Sequence, residues 1–99
     1  MNAHPGITFR PGPVGRRPGL VGGPDVWEIA RLFKGIPERN DDAIQRMAEL
    51  INLTPQQIRT ALRYYSEHQQ EIDAWIQRND DEAAQAEAAW RREQAVLKS

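Results

Sequence analysis

Apolar residues in the middle of the chain recur every three or four positions, the spacing that gathers them on one face of a helix. The first such stripe consists of Val26, Ile29, Ala30 and Phe33. Asp25 and Glu28 have the spacing of a capping box at its start, and Gly35 is a residue type that often follows a helix. We therefore predict a first helix from Asp25 to about Lys34.

Two further helices are predicted, with a strong helix-start signal between them. The stripe of the second helix consists of Ile44, Met47, Ala48 and Ile51. This helix should begin near Asp41, with Asn40 as its cap. Thr54 then offers a capping hydroxyl, Pro55 suits the first turn of a third helix, and Gln57 completes a capping box. Two helices joined by so tight a turn form a helix-turn-helix.

The third helix is predicted to have one buried face, made of Ile58, Ala61, Leu62 and Tyr65. This choice leaves Tyr64 outside, together with a set of Gln, Arg and Thr side chains that can read base edges or contact phosphates. The start of the second helix of a helix-turn-helix faces the major groove of DNA. The candidate DNA contacts are Gln56, Gln57, Arg59, Thr60 and Arg63. The alternative is an ordinary polar helix face.

The apolar period continues through Ile72, Trp75 and Ile76, so the helix should extend to about Arg78, with a break near residues 66–69. The next three residues, Asn79-Asp80-Asp81, are predicted to end that helix and cap another. Residues 81–99 are rich in alanine and other strong helix formers, which predicts a C-terminal helix.

The predicted C-terminal helix has too few large apolar residues to hold it on its own domain. They are Trp90, Val96 and Leu97. A solitary tryptophan among small residues is typical of a segment that docks in a groove of another protein. The alternative is that Trp90 folds back onto the body.

Residues 1–24 form an arm rich in glycine and proline, with short strands predicted at residues 7–10 and near residues 20–21. Its charged side chains are all basic, namely Arg10, Arg16 and Arg17. Such an arm can lie along a phosphate backbone or enter a minor groove. The alternative is a flexible, solvated arm.

Length, composition and charge limit the class of protein. A chain of 99 residues is at most one domain with a small core, so we expect a homodimer. It has no cysteine, no long apolar run and no signal-peptide pattern, which indicates a cytoplasmic protein without membrane contact. Residues 1–63 carry nine basic and six acidic side chains, and residues 64–99 carry four and eight. This asymmetry indicates two surfaces for two kinds of partner, although solvated faces that merely differ would look the same.

No group of residues indicates catalysis. There is no phosphate-binding glycine loop, and Asp25 would occupy the helix terminus that an anion would bind. The acids at residues 80–81 are interpreted as helix caps rather than metal ligands, because the chain has only two histidines and no cysteine. We expect a protein that is not an enzyme and that holds neither a metal nor a cofactor.

Three segments together resemble the domain of unknown function 433 family, which includes VapB-like antitoxins. They are residues 22–29 (GGPDVWEI), 53–65 (LTPQQIRTALRYY) and 68–73 (HQQEID). The resemblance covers about residues 7–78, and its most specific part is the pattern LTPxxIxxALxYY followed by His and Glu-Ile-Asp. Family members usually show Gly-Thr-Arg before the first helix, where this chain has Gly22-Gly23-Pro24. A DNA contact by that threonine and arginine is therefore not carried over.

The resemblance implies a homeodomain-like helix-turn-helix, pairing of N-terminal strands between protomers, a PIN-like ribonuclease toxin as partner, and repression of the operon's own promoter. We accordingly expect a mainly α protein with a short N-terminal β-hairpin at residues 1–24, a helix-turn-helix domain at 25–79 and a protruding partner-binding helix at 80–99. On the toxin, Arg91 or Arg92 would pair with the metal-binding carboxylates, beside Trp90. The alternative is a stand-alone helix-turn-helix regulator with a protein-binding tail.

Overall fold

An antiparallel β-hairpin begins the fold. In the computed structural model, which describes residues 5–12 and 15–99, strand β1 (Ile7–Gly12) pairs with strand β2 (Gly15–Leu20). Ile7 lies opposite Leu20 in this pairing, and both side chains are buried. Their burial holds a two-stranded sheet that would be marginal alone. The predicted hairpin is confirmed, with the second strand ending rather than beginning at Leu20.

Helix α1 (Val26–Gly35) follows the hairpin, and its predicted capping box is present: the Asp25 N–H donates to Glu28 Oε2 at 2.9 Å. Helix α2 (Asn40–Ile51) begins one residue earlier than predicted, so that Arg39 rather than Asn40 is its N-cap. Helix α2 ends at Asn52, whose φ of 54° lies in the left-handed region that asparagine tolerates.

Helix α3 (Pro55–Glu67) begins as predicted. The Gln57 N–H donates to the Thr54 hydroxyl at 3.1 Å, and the Thr54 N–H donates to Gln57 Oε1 at 2.9 Å. The helix is interrupted at His68, within the predicted region, and the chain continues as helix α4 (Gln69–Lys98). The fold is thus mainly helical, with one hairpin and four helices.

Helix α4 runs without interruption through residues 79–81, so the prediction that Asn79-Asp80-Asp81 ends one helix and caps another is wrong. The carboxylates of this segment find partners that are compatible with a helix. Asp80 pairs with Arg31 of α1 at 3.0 Å, and Asp81 accepts a hydrogen bond from Gln77, one turn earlier, at 2.9 Å. Such contacts override the low helix propensity of asparagine and aspartate.

The core is formed where α1, α2, α3 and the first turns of α4 meet under the hairpin. Its members are Ile7, Leu20, Val26, Ile29, Ala30, Ile36, Ala43, Ile44, Met47, Ile58, Ala61, Tyr64 and Ile72. At its edge Asp73 of α4 accepts hydrogen bonds from Lys34 at 2.6 Å and from Tyr65 at 2.8 Å. These two donors, Lys34 first, lower the pKa of Asp73 and tie α4 to α1 and α3.

The protein is elongated because α4 continues past this core. Its radius of gyration is 16.4 Å, whereas about 13 Å is typical of a compact domain of this length. Residues 81–99 are exposed apart from the half-buried Gln94. Within residues 5–12 and 15–99, no helix combines the length and apolar character needed to cross a membrane.

Candidate functional site

Two surfaces carry the side chains to which the sequence assigns binding roles. One is the outer side of α3, and the other is the C-terminal half of α4. We call them the α3 stripe and the α4 tail. The α3 stripe is defined as Gln56, Arg59 and Arg63, and the α4 tail as residues 80–98.

The three residues of the α3 stripe are all exposed. They are spaced by three and four positions, so they follow one line along the helix. Among the described residues, the Arg63 side chain has no hydrogen bond or ion pair, and its guanidinium is free to meet a phosphate or a base. The line presents one amide and two guanidinium groups, the donors used most often against DNA.

Gln57 and Thr60, also predicted to contact DNA, are engaged within the protein. The Gln57 side chain is the acceptor of the α3 capping box. The Thr60 hydroxyl donates to the Gln56 carbonyl at 3.0 Å, and its methyl group lies so near Gly6 that a Cβ there would be 3.1 Å away. The segment leading into β1 therefore covers Thr60, and Gln57 is a structural residue first.

Acidic side chains beside the α3 stripe weaken its attraction for phosphates. Arg59 pairs with Asp41 of α2 at 2.8 Å, although both groups are well exposed. Helices α2 and α3 together carry three arginines and four acids. Because affinity for DNA grows with the number of phosphates neutralised, one copy of this unit would bind weakly.

Arg10, which was predicted to contact DNA, is engaged within the protein. Its side chain is 28% exposed, and its guanidinium donates to Asp25 Oδ1 at 2.6 Å and to the carbonyls of Leu20 and Gly23 at 2.7 Å. Gly19 is needed for this arrangement, because a Cβ there would collide with the guanidinium. Arg10 therefore ties the hairpin to the start of α1, and its guanidinium is occupied by these three partners.

Arg16 and Arg17 also fold back onto the body. Arg16 lies over the Phe9 ring at 4.3 Å, and its guanidinium is 3.7 Å from Glu71 of α4. Arg17 Nε lies 3.4 Å from Asp25 Oδ2. The two side chains are 55% and 37% exposed, so they retain solvent-facing surface, but the described part of the arm is a docked hairpin. Residues 1–4 and 13–14 of the predicted arm lie outside the described residues.

Tyr64, which was predicted to face outward, is buried, and Leu62 and Tyr65 are only half-buried. The prediction assumed that one side of α3 is covered, whereas the hairpin covers a second side. The Tyr64 ring meets Phe9 edge-on at 6.2 Å and stacks on His68 at 4.2 Å. Its hydroxyl donates to Glu71 Oε1 at 3.1 Å. Burial first, and then the Glu71 charge, raise the pKa of Tyr64 to about 12.

This raised pKa predicts a stability change at alkaline pH. The unfolded chain loses the Tyr64 proton near pH 10, whereas the folded chain keeps it to about pH 12. Stability therefore falls as the pH rises through this window, by about 2 kcal/mol for this group. The Tyr64→Phe variant should lack this part of the fall in stability. Urea unfolding at several pH values between about 9 and about 12 measures the free energy of unfolding. Tyr65→Phe is the control, because it keeps Tyr64 and therefore the full fall in stability. A fall in Tyr64→Phe as steep as in the unchanged protein would contradict the attribution to Tyr64.

The α4 tail is a helix that the rest of the chain leaves uncovered. Trp90, Val96 and Leu97 are 59%, 71% and 69% exposed. The alternative that Trp90 folds back onto the body is therefore wrong for the single chain. Arg91 and Arg92 are exposed as well, and Arg91 pairs with Glu87 one turn earlier at 2.6 Å.

The five predicted partner contacts do not share one face. With about 100° of rotation per residue, Trp90 and Leu97 lie within about 20° of each other, and Arg91 is about 100° from Trp90. Val96 and Arg92 point to other sides. Two alanines that were not among the predicted contacts, Ala83 and Ala86, lie on the Trp90 side. The signal for Ala83 was the seven-residue spacing of Ile76, Ala83, Trp90 and Leu97, and the signal for Ala86 was its position four residues before Trp90.

Among the described residues, no three His, Asp or Glu side chains come together in a way that could hold a metal ion. Comparison of the chain with protein-family models, with curated proteins and with solved structures gives no match. The functional interpretation therefore depends on the two surfaces themselves.

Proposed function

We propose that this protein is an antitoxin that neutralises a PIN-like ribonuclease toxin through the α4 tail and represses its own operon through α2 and α3. One observation carries the proposal: a helix of 30 residues is uncovered from residue 81 onward, with a tryptophan and a leucine exposed on one face. Burying such side chains against a second protein is favourable, and a buried tryptophan is a frequent hot spot.

The toxin-bound state would use the Trp90 face of the α4 tail. Trp90 and Leu97 would enter an apolar groove of the toxin. Arg91 borders that face and can reach an acidic active site beside the groove, where its guanidinium would pair with the carboxylates that bind metal. Arg92 points to the opposite side of the helix and is the weaker candidate for this role.

The test is to express the protein together with the product of an adjacent small gene and to purify the tagged protein. The expected result is a stable complex in which the ribonuclease activity of the second protein is suppressed. Purification of the protein alone, with the ribonuclease fully active in its presence, would refute the proposal.

The DNA-binding part of the proposal treats α2 and α3 as a homeodomain-like helix-turn-helix whose α3 stripe enters the major groove. A single copy offers few basic contacts, and the acids of α2 weaken its attraction for phosphates further. A two-fold dimer would present two α3 stripes to two half-sites about 34 Å apart and double the number of contacts. Pairing of the hairpins from two protomers would form that dimer.

Replacing Arg59 or Arg63 by alanine is expected to weaken binding to the promoter fragment by about tenfold for each residue. Each arginine also adds to the salt dependence of binding, so the slope of log affinity against log salt should become shallower by about 1 per site. Fluorescence anisotropy at several salt concentrations measures both quantities. Arg31→Ala, an exposed arginine of α1 paired with Asp80, is the matched control. Equal losses in the control and in the α3 variants would show that only overall charge matters.

A second candidate function is a stand-alone regulator whose tail contacts another protein, such as polymerase. Residues 80–87 favour it, because they carry four acids and no base and could meet a basic surface. This candidate predicts promoter binding by the α3 stripe without any complex with a neighbouring gene product.

A further inference from the structure

The face of α4 that packs on the body does not end where the body ends. Taking about 100° per residue, one arc of about 80° holds a line of apolar residues. They are Ile72, Ile76, Ala83, Ala86, Trp90 and Leu97, and the arc also holds the polar Asn79 and Gln94. Ile72 is buried and Ile76 packs against the core, whereas Trp90 and Leu97 are mostly exposed. The body therefore packs against this face over the first turns of α4 and leaves it exposed over the last turns.

One flank of this face carries four charges in a particular order. They are Asp80, Glu87, Arg91 and Lys98, two acids followed by two bases. When two identical helices pair antiparallel, this flank meets itself with the order reversed, so that acids face bases. In a parallel pair this flank would instead meet the opposite flank of the second helix, and Glu82 of one helix would lie close to Asp80 and Glu87 of the other. On the opposite flank the antiparallel pair brings Glu82 of each copy near Glu93 of the other, but these two like-charge contacts are outnumbered by the four ion pairs of the first flank, so the charge order favours the antiparallel arrangement.

The apolar residues fit the same arrangement. With a two-fold axis near Ala89, Asp80 lies opposite Lys98 and Glu87 opposite Arg91. In that register Leu97 of one helix lies within two residues of the position facing the small Ala83 of the other, and the two Trp90 side chains lie side by side across the axis, each also next to the small Ala86 of the other helix. Large side chains opposite small ones allow two helices to approach closely. Arg91 and Glu87 form a pair within one helix, yet they are 71% and 61% exposed and can also face a second copy.

We propose that the α4 tail pairs antiparallel with the α4 tail of a second copy of this chain. The two bodies then lie at opposite ends of a rod, each Trp90 is covered, and the hairpin of each body can still pair with the hairpin of a further copy. Self-pairing needs only this chain, so it does not rest on the existence of a toxin. Where a toxin also uses Trp90, the two associations exclude each other, and self-pairing protects the apolar face until the toxin arrives.

Sedimentation of the full chain over a concentration series tests the apolar contact. Trp90→Ala should raise the dissociation constant of the association through the α4 tails, which a chain ending at Asn79 lacks, at least about tenfold. Val96→Ala, at a residue that is even more exposed but lies on another side of the helix, should change it less than about twofold. Arg91→Glu should weaken the dimer, and adding Glu87→Arg should restore it. A dissociation constant that none of these changes moves would overturn the proposal.

Disulfide trapping tests the orientation, because the chain has no cysteine of its own. Ala83→Cys and Gln94→Cys leave Trp90 and Leu97 in place. In the proposed register these two sites face each other, within the separation that a disulfide can bridge. Oxidation of the two variants mixed together should give a mixed disulfide dimer, and each variant alone should give little. Two outcomes would overturn the antiparallel pair: efficient cross-linking of each variant with itself, or no disulfide dimer in the mixture of the two variants. Both tests use the protein alone, so their failure is separate from failure of toxin binding.

Discussion

Replacing Asp25 by alanine is expected to lower the free energy of unfolding by about 3 kcal/mol. The Asp25 carboxylate is nearly buried and joins three parts of the chain: it accepts from Arg10 at 2.6 Å and from Trp27 at 3.2 Å, and it lies next to Arg17. Removing it leaves the Arg10 guanidinium without its charged partner in a partly buried place. Urea unfolding at neutral pH measures the change, against a total of about 5–15 kcal/mol for a domain.

Asp42→Ala, an exposed acid in the first turn of α2, is the matched control and should change stability by at most about 0.5 kcal/mol. A double-mutant cycle with Arg10→Ala separates the ion pair from the helix cap. We expect a coupling energy of about 1–3 kcal/mol between Arg10 and Asp25. Additive effects of the two substitutions would mean that the pair does not join the hairpin to α1.

Ending the chain at Asn79 is expected to abolish neutralisation of the toxin while the body stays folded. The truncation keeps Ile72, Ile76 and the Asp73 contacts with Lys34 and Tyr65, and it removes only residues that lie outside the core. The circular dichroism melting curve should therefore remain cooperative, with a small shift. A ribonuclease assay with increasing amounts of the truncated chain should show no inhibition.

Single substitutions show which residues of the α4 tail account for the effect of this truncation on toxin binding. Trp90→Ala should weaken toxin binding at least about thirtyfold, the loss of about 2 kcal/mol that defines a hot spot. Val96→Ala should have a much smaller effect, because Val96 lies on another side of the α4 tail. Full neutralisation by the chain ending at Asn79 would remove the tail from the mechanism.

Features that depend on neighbours in the chain were predictable. Asp25 with Glu28, and Thr54 with Gln57, cap their helices through bonds that span three residues, so the residue types and their spacing suffice. The α3 stripe was predicted for a similar reason, since helical spacing alone aligns Gln56, Arg59 and Arg63. Features that depend on contacts distant in the chain were not predictable in this way.

Arg10 and Tyr64 illustrate that second group. An arginine in a glycine-rich arm resembles a free cation until the hairpin brings it to Asp25, fifteen residues away. Tyr64 resembles an outer residue until the hairpin covers a second side of α3. Similarly, Asn79-Asp80-Asp81 resembles a helix boundary until Arg31 of α1 meets Asp80.

The sequence by itself determined which segments are helical, where α1 and α3 begin, and that residues 81–99 are helical but poor in large apolar residues. Local hydrogen bonds and helix propensity decide those properties, and they act over a few residues. The tertiary structure alone decided which side chains are engaged inside the protein, that α4 is one continuous helix, and that its apolar face continues past the body without a cover. Those outcomes depend on which elements pack together, because burial and ion pairing are properties of surfaces that distant segments form jointly.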